Sequence, residues 1–159
     1  MKKLNLSRAE WSVYLIAALL IFVAPIFVSF NPLSGIPPQI TQTTLDNKKI
    51  VAPKFIYFWA SWCKTCKGMQ APISAVLKDY SGVTVAVKSG MATKVQDYLT
   101  KQQLNWSTVN DENGVIAKQY SVTAVPTIFI LNSEDEIAFV TQGYVGESAL
   151  RFRLWFASL

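Results

Sequence analysis

The stretch FWASWCKTCK, Phe58 to Lys67, contains both cysteines of the chain, Cys63 and Cys66, with two residues between them. It follows a β-branched and aromatic run, KFIYFW (Lys54 to Trp59), which reads as a buried strand. A helical pattern follows from Lys64 to Tyr80, with Met69, Ile73, Val76 and Leu77 on one side and a bend expected at Pro72. Cys63 therefore falls where a strand ends and a helix begins.

The chain has 159 residues, two Cys and no His. Structural zinc needs four Cys, His or carboxylate ligands, so a site within one chain is disfavoured. Covalent haem attachment needs His directly after the second Cys, and here Lys67 stands there. Cys–His hydrolase chemistry fails for lack of His. A structural staple over so short a loop adds little stability. Copper(I) held by two thiolates is chemically reasonable, but no Met or His cluster supports it; no metal site and no cofactor is expected.

Thiol–disulfide exchange fits best. A thiolate at Cys63 faces the positive end of a helix and free backbone N–H groups, which lowers its pKa and raises its nucleophilic fraction. Lys64 and Lys67 add positive charge. Cys66, one turn on, is placed to attack a mixed disulfide and release the product. Cys63 is thus the attacking thiol and Cys66 the resolving one. Trp59 is expected in the core, and Trp62 at the apolar lip of a substrate groove.

Further along, VTVAV (Val83 to Val87), TIFIL (Thr127 to Leu131) and IAFVT (Ile137 to Thr141) read as strands. The turn NSEDE makes the last two antiparallel neighbours. Helices are expected over Ala92 to Gln103, Glu112 to Tyr120 and Glu147 to Ala157, with STVND leading into the second. Parallel crossovers followed by a hairpin give an α/β domain, a mixed central sheet with helices on both faces. In the C-terminal LRFRLWF, packing on the sheet with Arg151 and Arg153 solvated is expected over contact with a bilayer.

The N-terminus is of another kind. No Asp, Glu, Lys or Arg occurs from Trp11 to Leu45, and Val13 to Phe30 is almost unbroken oil. As a helix those residues span about 27 Å, and Trp11 and Ser12 extend them toward a hydrocarbon core of about 30 Å. Lys2, Lys3 and Arg8 precede the oil, which keeps the N-terminus cytoplasmic and puts the rest outside. A cleavable signal is the competing reading, but Phe27 sits where a small residue is wanted. Four regions follow: a cytoplasmic N-terminus (1–10), a single transmembrane helix (11–30), a Pro- and Gly-punctuated linker (31–49) and the domain (50–159). Part of the linker reads equally as an edge strand. The first ten residues account for +2 of the net charge of +5, leaving +3 on the rest. That is no argument for nucleic acid.

These residues resemble a thioredoxin-fold protein. FWASWCxxC is similar to that fold's strand-to-helix active site, Pro72 to its helix kink, and VPT (Val125 to Thr127) to the segment bearing its cis-proline. The resemblance implies that Pro126 is cis beside the cysteines and that Val125 offers backbone hydrogen bonds to an incoming peptide. It also implies that Lys64-Thr65 tunes the redox potential. VAVKSG, NDENG and GYVGESALRFRLW are similar to text of the suppressor-of-copper-sensitivity D family. That resemblance implies a disulfide oxidoreductase anchored in the bacterial inner membrane and facing the periplasm. Its partners would be protein substrates with disulfides and a membrane electron transporter as reductant, and its role is linked to copper tolerance. Cytochrome c maturation thioredoxins are the neighbouring alternative. Two departures stand out: Tyr57 occupies the place of thioredoxin's buried Asp, and Thr127 the place of a Glu in the cytochrome relatives.

Overall fold

The computed structural model describes residues 35–159. The expected transmembrane helix over 11–30 lies outside the described residues. Among the described residues no helix is long and apolar enough to cross a membrane.

Five strands form one sheet in the order β3-β2-β1-β4-β5. They are β1 (Phe55–Trp59), β2 (Gly82–Val87), β3 (Thr108–Asp111), β4 (Thr127–Leu131) and β5 (Ile137–Gln142). β1 is parallel to β2 and antiparallel to β4, so the sheet is mixed as expected. All five residues of β1 are buried, as befits a central strand covered on both faces. Phe55, Tyr57 and Trp59 project into one core and Ile56 and Phe58 into the other, the alternation of a pleated strand. Fully burying side chains of this size contributes roughly 1.5–3 kcal/mol each.

The helices are α1 (Lys64–Gly68), α2 (Gln70–Val76), α3 (Ala92–Lys101), α4 (Val115–Gln119) and α5 (Glu147–Ala157). Met69, Ile73 and Val76, with Val95 and Leu99 of α3 and Leu150 and Leu154 of α5, join the core of Tyr57 and Trp59. Ile116 and Ala117 of α4 and the following Tyr120 join the core on the opposite face.

Five local outcomes differ from expectation. The helix after Cys63 breaks at Met69, three residues before Pro72. Pro72 has no N–H for the carbonyl of Gly68, and its ring crowds that carbonyl, so the irregularity falls one turn upstream. STVND contributes a strand, β3, where a helix lead-in was expected. Thr108 and Val109 favour a strand but Asn110 and Asp111 do not; the four are held by parallel pairing to β2 and a buried Thr84–Thr108 hydroxyl bond of 2.8 Å. α4 starts later than expected: Gly114, its N-cap, is left-handed (φ 76°) and brings no side chain, and Asp111 serves the first turn in its place. Its carboxylate accepts from the N–H groups of Ile116 (3.1 Å) and Ala117 (2.8 Å).

The fourth outcome concerns the expected linker, which from Gly35 onward lies against the domain. Ile137 N–H donates to Gly35 O (3.0 Å), Leu45 N–H to Thr108 O (2.7 Å), and the Tyr120 hydroxyl to Pro38 O. Ile40 and Ile50 pack on the second core. No strand forms there, although Leu45 caps part of the exposed edge of β3.

α5 packs through Leu150, Leu154 and Ala157. Its arginines are not simply solvated. Arg151 pairs with Glu147 and Asp79, both at 2.7 Å. Arg153 is half-buried, donates to Thr141 Oγ1, and leaves its Nε without a partner. That burial pulls its pKa down.

Candidate active site

Sheet register assembles the site. The parallel pair Trp59↔Ala86 brings Lys88 and Ser89 beside Ser61 and Trp62. The antiparallel pair Phe58↔Thr127 brings Val125 and Pro126 beside the end of β1. The parallel pair Val87↔Asp111 sets Asn113 and Gly114 next to Lys88. Three turns thus converge on the cysteines from sequence separations that no local pattern encodes.

Cys63 and Cys66 form a disulfide, with Cα atoms 5.2 Å apart. Cys63 caps α1, its Sγ accepting from Cys66 N–H at 3.1 Å. Both cysteines are buried, Cys63 7% exposed and Cys66 2%. Because α1 has only five residues, the local N–H at Cys66, and not a long helix dipole, is the polar group set against Cys63 Sγ.

The Val125–Pro126 peptide is cis. Val125 O lies 3.6 Å from Cys63 Sγ. Val125 N–H makes no hydrogen bond among the described residues. Beyond it, Gly143 N–H donates to Pro126 O (2.8 Å) and Thr127 Oγ1 donates to Ala124 O (2.7 Å), which hold the turn. Trp62 is 63% exposed, and its Nε1 donates to Lys88 O (3.1 Å). Lys64, Thr65 and Lys67 are exposed on α1. Beneath the site, Tyr57 is fully buried, and its hydroxyl has no partner among the described residues. Burial, and then the Tyr98 phenol, push its pKa well above the ordinary tyrosine value, so it is no proton acceptor.

Several residues here escaped the reading of the sequence. Ser89 Oγ accepts from Ser61 N–H (3.0 Å) and donates to Val87 O (3.2 Å), fastening the loop before Cys63. Gly114 leaves room for the Lys88 side chain: a Cβ there would lie 2.7 Å from Lys88 Cε. Tyr144 is exposed on the far side, near Gly68. All three lie in the segments VAVKSG, NDENG and GYVGE, whose family likeness was the one available signal. Among the described residues no three His, Cys, Asp or Glu cluster as a metal site.

A five-stranded mixed sheet with a Cys pair at a strand–helix junction, faced by a cis-proline turn, defines a class: thioredoxin-fold thiol–disulfide oxidoreductases. The chain belongs to the AhpC/TSA family, whose profile matches residues 37–140. It is 36% identical over 115 residues to a thioredoxin-like protein of Haemophilus influenzae, covering 72% of this chain and 66% of that one. It is 25% identical over 115 residues to sporulation thiol-disulfide oxidoreductase A of Bacillus subtilis, covering 65% of this chain and 70% of that one. The chain spans about two thirds of the length of these relatives. The crystal structure of StoA from Bacillus subtilis superimposes with a TM-score of 0.64 at 25% identity, covering 76% of this chain and 98% of that one. A secreted Mycobacterium tuberculosis disulfide oxidoreductase shares the fold, with a TM-score of 0.62 at 23% identity over 74% of this chain and 96% of that one.

Proposed function

We propose that this chain reduces disulfides in protein substrates on the periplasmic side of the bacterial inner membrane, tethered there by residues 11–30. The observation that carries the reading is the placement of Val125 O beside Cys63 Sγ, with the Val125 N–H unbonded among the described residues. A substrate segment lying along Val125 can pair with it as an added strand, which delivers a substrate sulfur to Cys63.

In the reduced protein the Cys63 thiolate attacks the substrate S–S bond. A mixed disulfide forms, and one substrate sulfur leaves as thiolate and takes a proton. Cys66, deprotonated, then attacks Cys63 Sγ, which closes the Cys63–Cys66 disulfide and releases the second substrate thiolate. The substrate gains two electrons and the protein loses two. An external dithiol donor must restore the pair, and a membrane electron transporter fits the tethered geometry. Trp62 forms the apolar lip of the groove, and Lys64-Thr65 sets the potential. The likeness to the suppressor-of-copper-sensitivity D family supports a link to copper tolerance.

The test is the reduction potential of the full chain, equilibrated in detergent against dithiothreitol and glutathione buffers. A potential toward about −270 mV fits a reductase, and one near −120 mV assigns net oxidation instead. Copper(I) titration addresses a non-catalytic metal module: a single equivalent bound and lost on Cys63→Ser would favour that reading over exchange.

A further inference from the structure

A groove of about 560 Å³ runs from Trp62 and Val125 along α4. Its floor is apolar, with Val122 and Ala117, and two lysines stand on its walls, Lys88 and Lys118. Both are exposed, and neither is paired with a carboxylate among the described residues. No Asp or Glu lines the groove. Asp111, whose carbonyl accepts from Lys88 N–H, is buried and its carboxylate is spent on the N-terminus of α4. Glu112 is exposed but outside the groove.

Lys88 is held in position. It follows β2 with φ of +45°, a left-handed conformation that a residue with a Cβ adopts only when its surroundings impose it. Its carbonyl accepts from Trp62 Nε1, and its N–H donates to Asp111 O (2.9 Å). Its side chain crosses the space that Gly114 leaves free. The backbone of this lysine is therefore tied to the Trp that neighbours Cys63.

We propose that Lys88 and Lys118 make the groove selective for acidic substrate segments, with carboxylate side chains flanking the cysteine to be exchanged. This rests on the exchange reading above. A segment paired with Val125 extends past Trp62 into the groove. Its carboxylates meet two unpaired ammonium groups there, and its apolar side chains meet Val122 and Ala117. A basic segment meets uncompensated like charge.

The experiment uses the full chain in detergent and two synthetic peptides, each carrying a mixed disulfide with a small fluorogenic thiol. The peptides differ only in Glu or Lys on both sides of the cysteine. Two exposed ion pairs predict a preference for the Glu peptide of about five- to tenfold in kcat/KM at low salt, shrinking as ionic strength rises. Lys88→Glu/Lys118→Glu should bring the ratio to one or invert it. Lys88→Met/Lys118→Met, which keeps the apolar stems, should bring it most of the way to one, the remainder belonging to Lys64 and Lys67 beside Cys63. The remote reversal Lys78→Glu/Lys101→Glu, with the same change in net charge, should leave it intact. Equal rates for both peptides in the native chain, or a ratio moved as much by the remote pair, overturn the selectivity and leave exchange standing. No exchange with either peptide overturns both.

Discussion

Val125 holds its carbonyl oxygen 3.6 Å from the Sγ of Cys63, although the two residues are 62 apart in the chain. The antiparallel register of β1 and β4 produces this approach. On the reading proposed above, it makes Cys63, and not Cys66, the sulfur that a bound segment reaches. Cys66→Ala should therefore accumulate mixed disulfides through Cys63, while Cys63→Ala should accumulate none. Non-reducing gels and mass spectrometry of the adducts read this directly, and equal trapping by both variants would refute the assignment of roles.

Asp111 ties β3 to α4 with two hydrogen bonds from buried amides. Asp111→Ala leaves both N–H groups without an acceptor and should cost about 1–2 kcal/mol. Asp111→Asn keeps one side-chain oxygen and should recover part of that loss. Urea denaturation of the three proteins measures it; an unchanged midpoint in Asp111→Ala would show the cap to be dispensable.

Tyr57 buries a hydroxyl with no partner against the edge of Trp106. An unsatisfied buried hydroxyl is a cost that a phenyl ring avoids, so Tyr57→Phe should stabilise the fold by about 1 kcal/mol. A lowered melting temperature would mean that the hydroxyl has a partner in solution.

Alkaline pH should unfold the domain early. Burial raises the pKa of Tyr120 to about 12 and that of Tyr57 further still. The folded state thus retains phenolic protons that the unfolded chain releases near pH 10. Their contribution is complete below about pH 10 and declines as pH climbs toward 12. Between pH 9 and 11 the denaturation midpoint should fall in the native chain and fall less in Tyr57→Phe. Identical pH slopes would rule these phenols out as the cause.

Much of the molecule is written locally. The alternation in KFIYFW, the hairpin turn NSEDE and the helical spacing in Glu147 to Ala157 each need only neighbours to be read. The strand β3 was not legible because only Thr108 and Val109 of its four residues favour a strand, and it owes its form to β2. The docking of residues 35–50 was hidden in the same way. Pro and Gly mark an irregular backbone there, but only the Tyr120 hydroxyl, Ile137 and Thr108 say where that backbone rests. Pro72 signalled a break, and the position of the break at Met69 followed from a carbonyl one turn upstream.

The sequence by itself determined the chemistry: two thiols three positions apart, no histidine to hold a metal or act as a base, and a strand–helix junction to present them. Tertiary structure alone decided what surrounds that chemistry. Lys88, Ser89, Gly114 and Lys118 are ordinary turn and surface residues in the chain. They become parts of a site because strand register is set by the burial of alternate faces, and a slip of one residue would turn every core side chain outward. The core therefore imposes the register, and the register imposes the site.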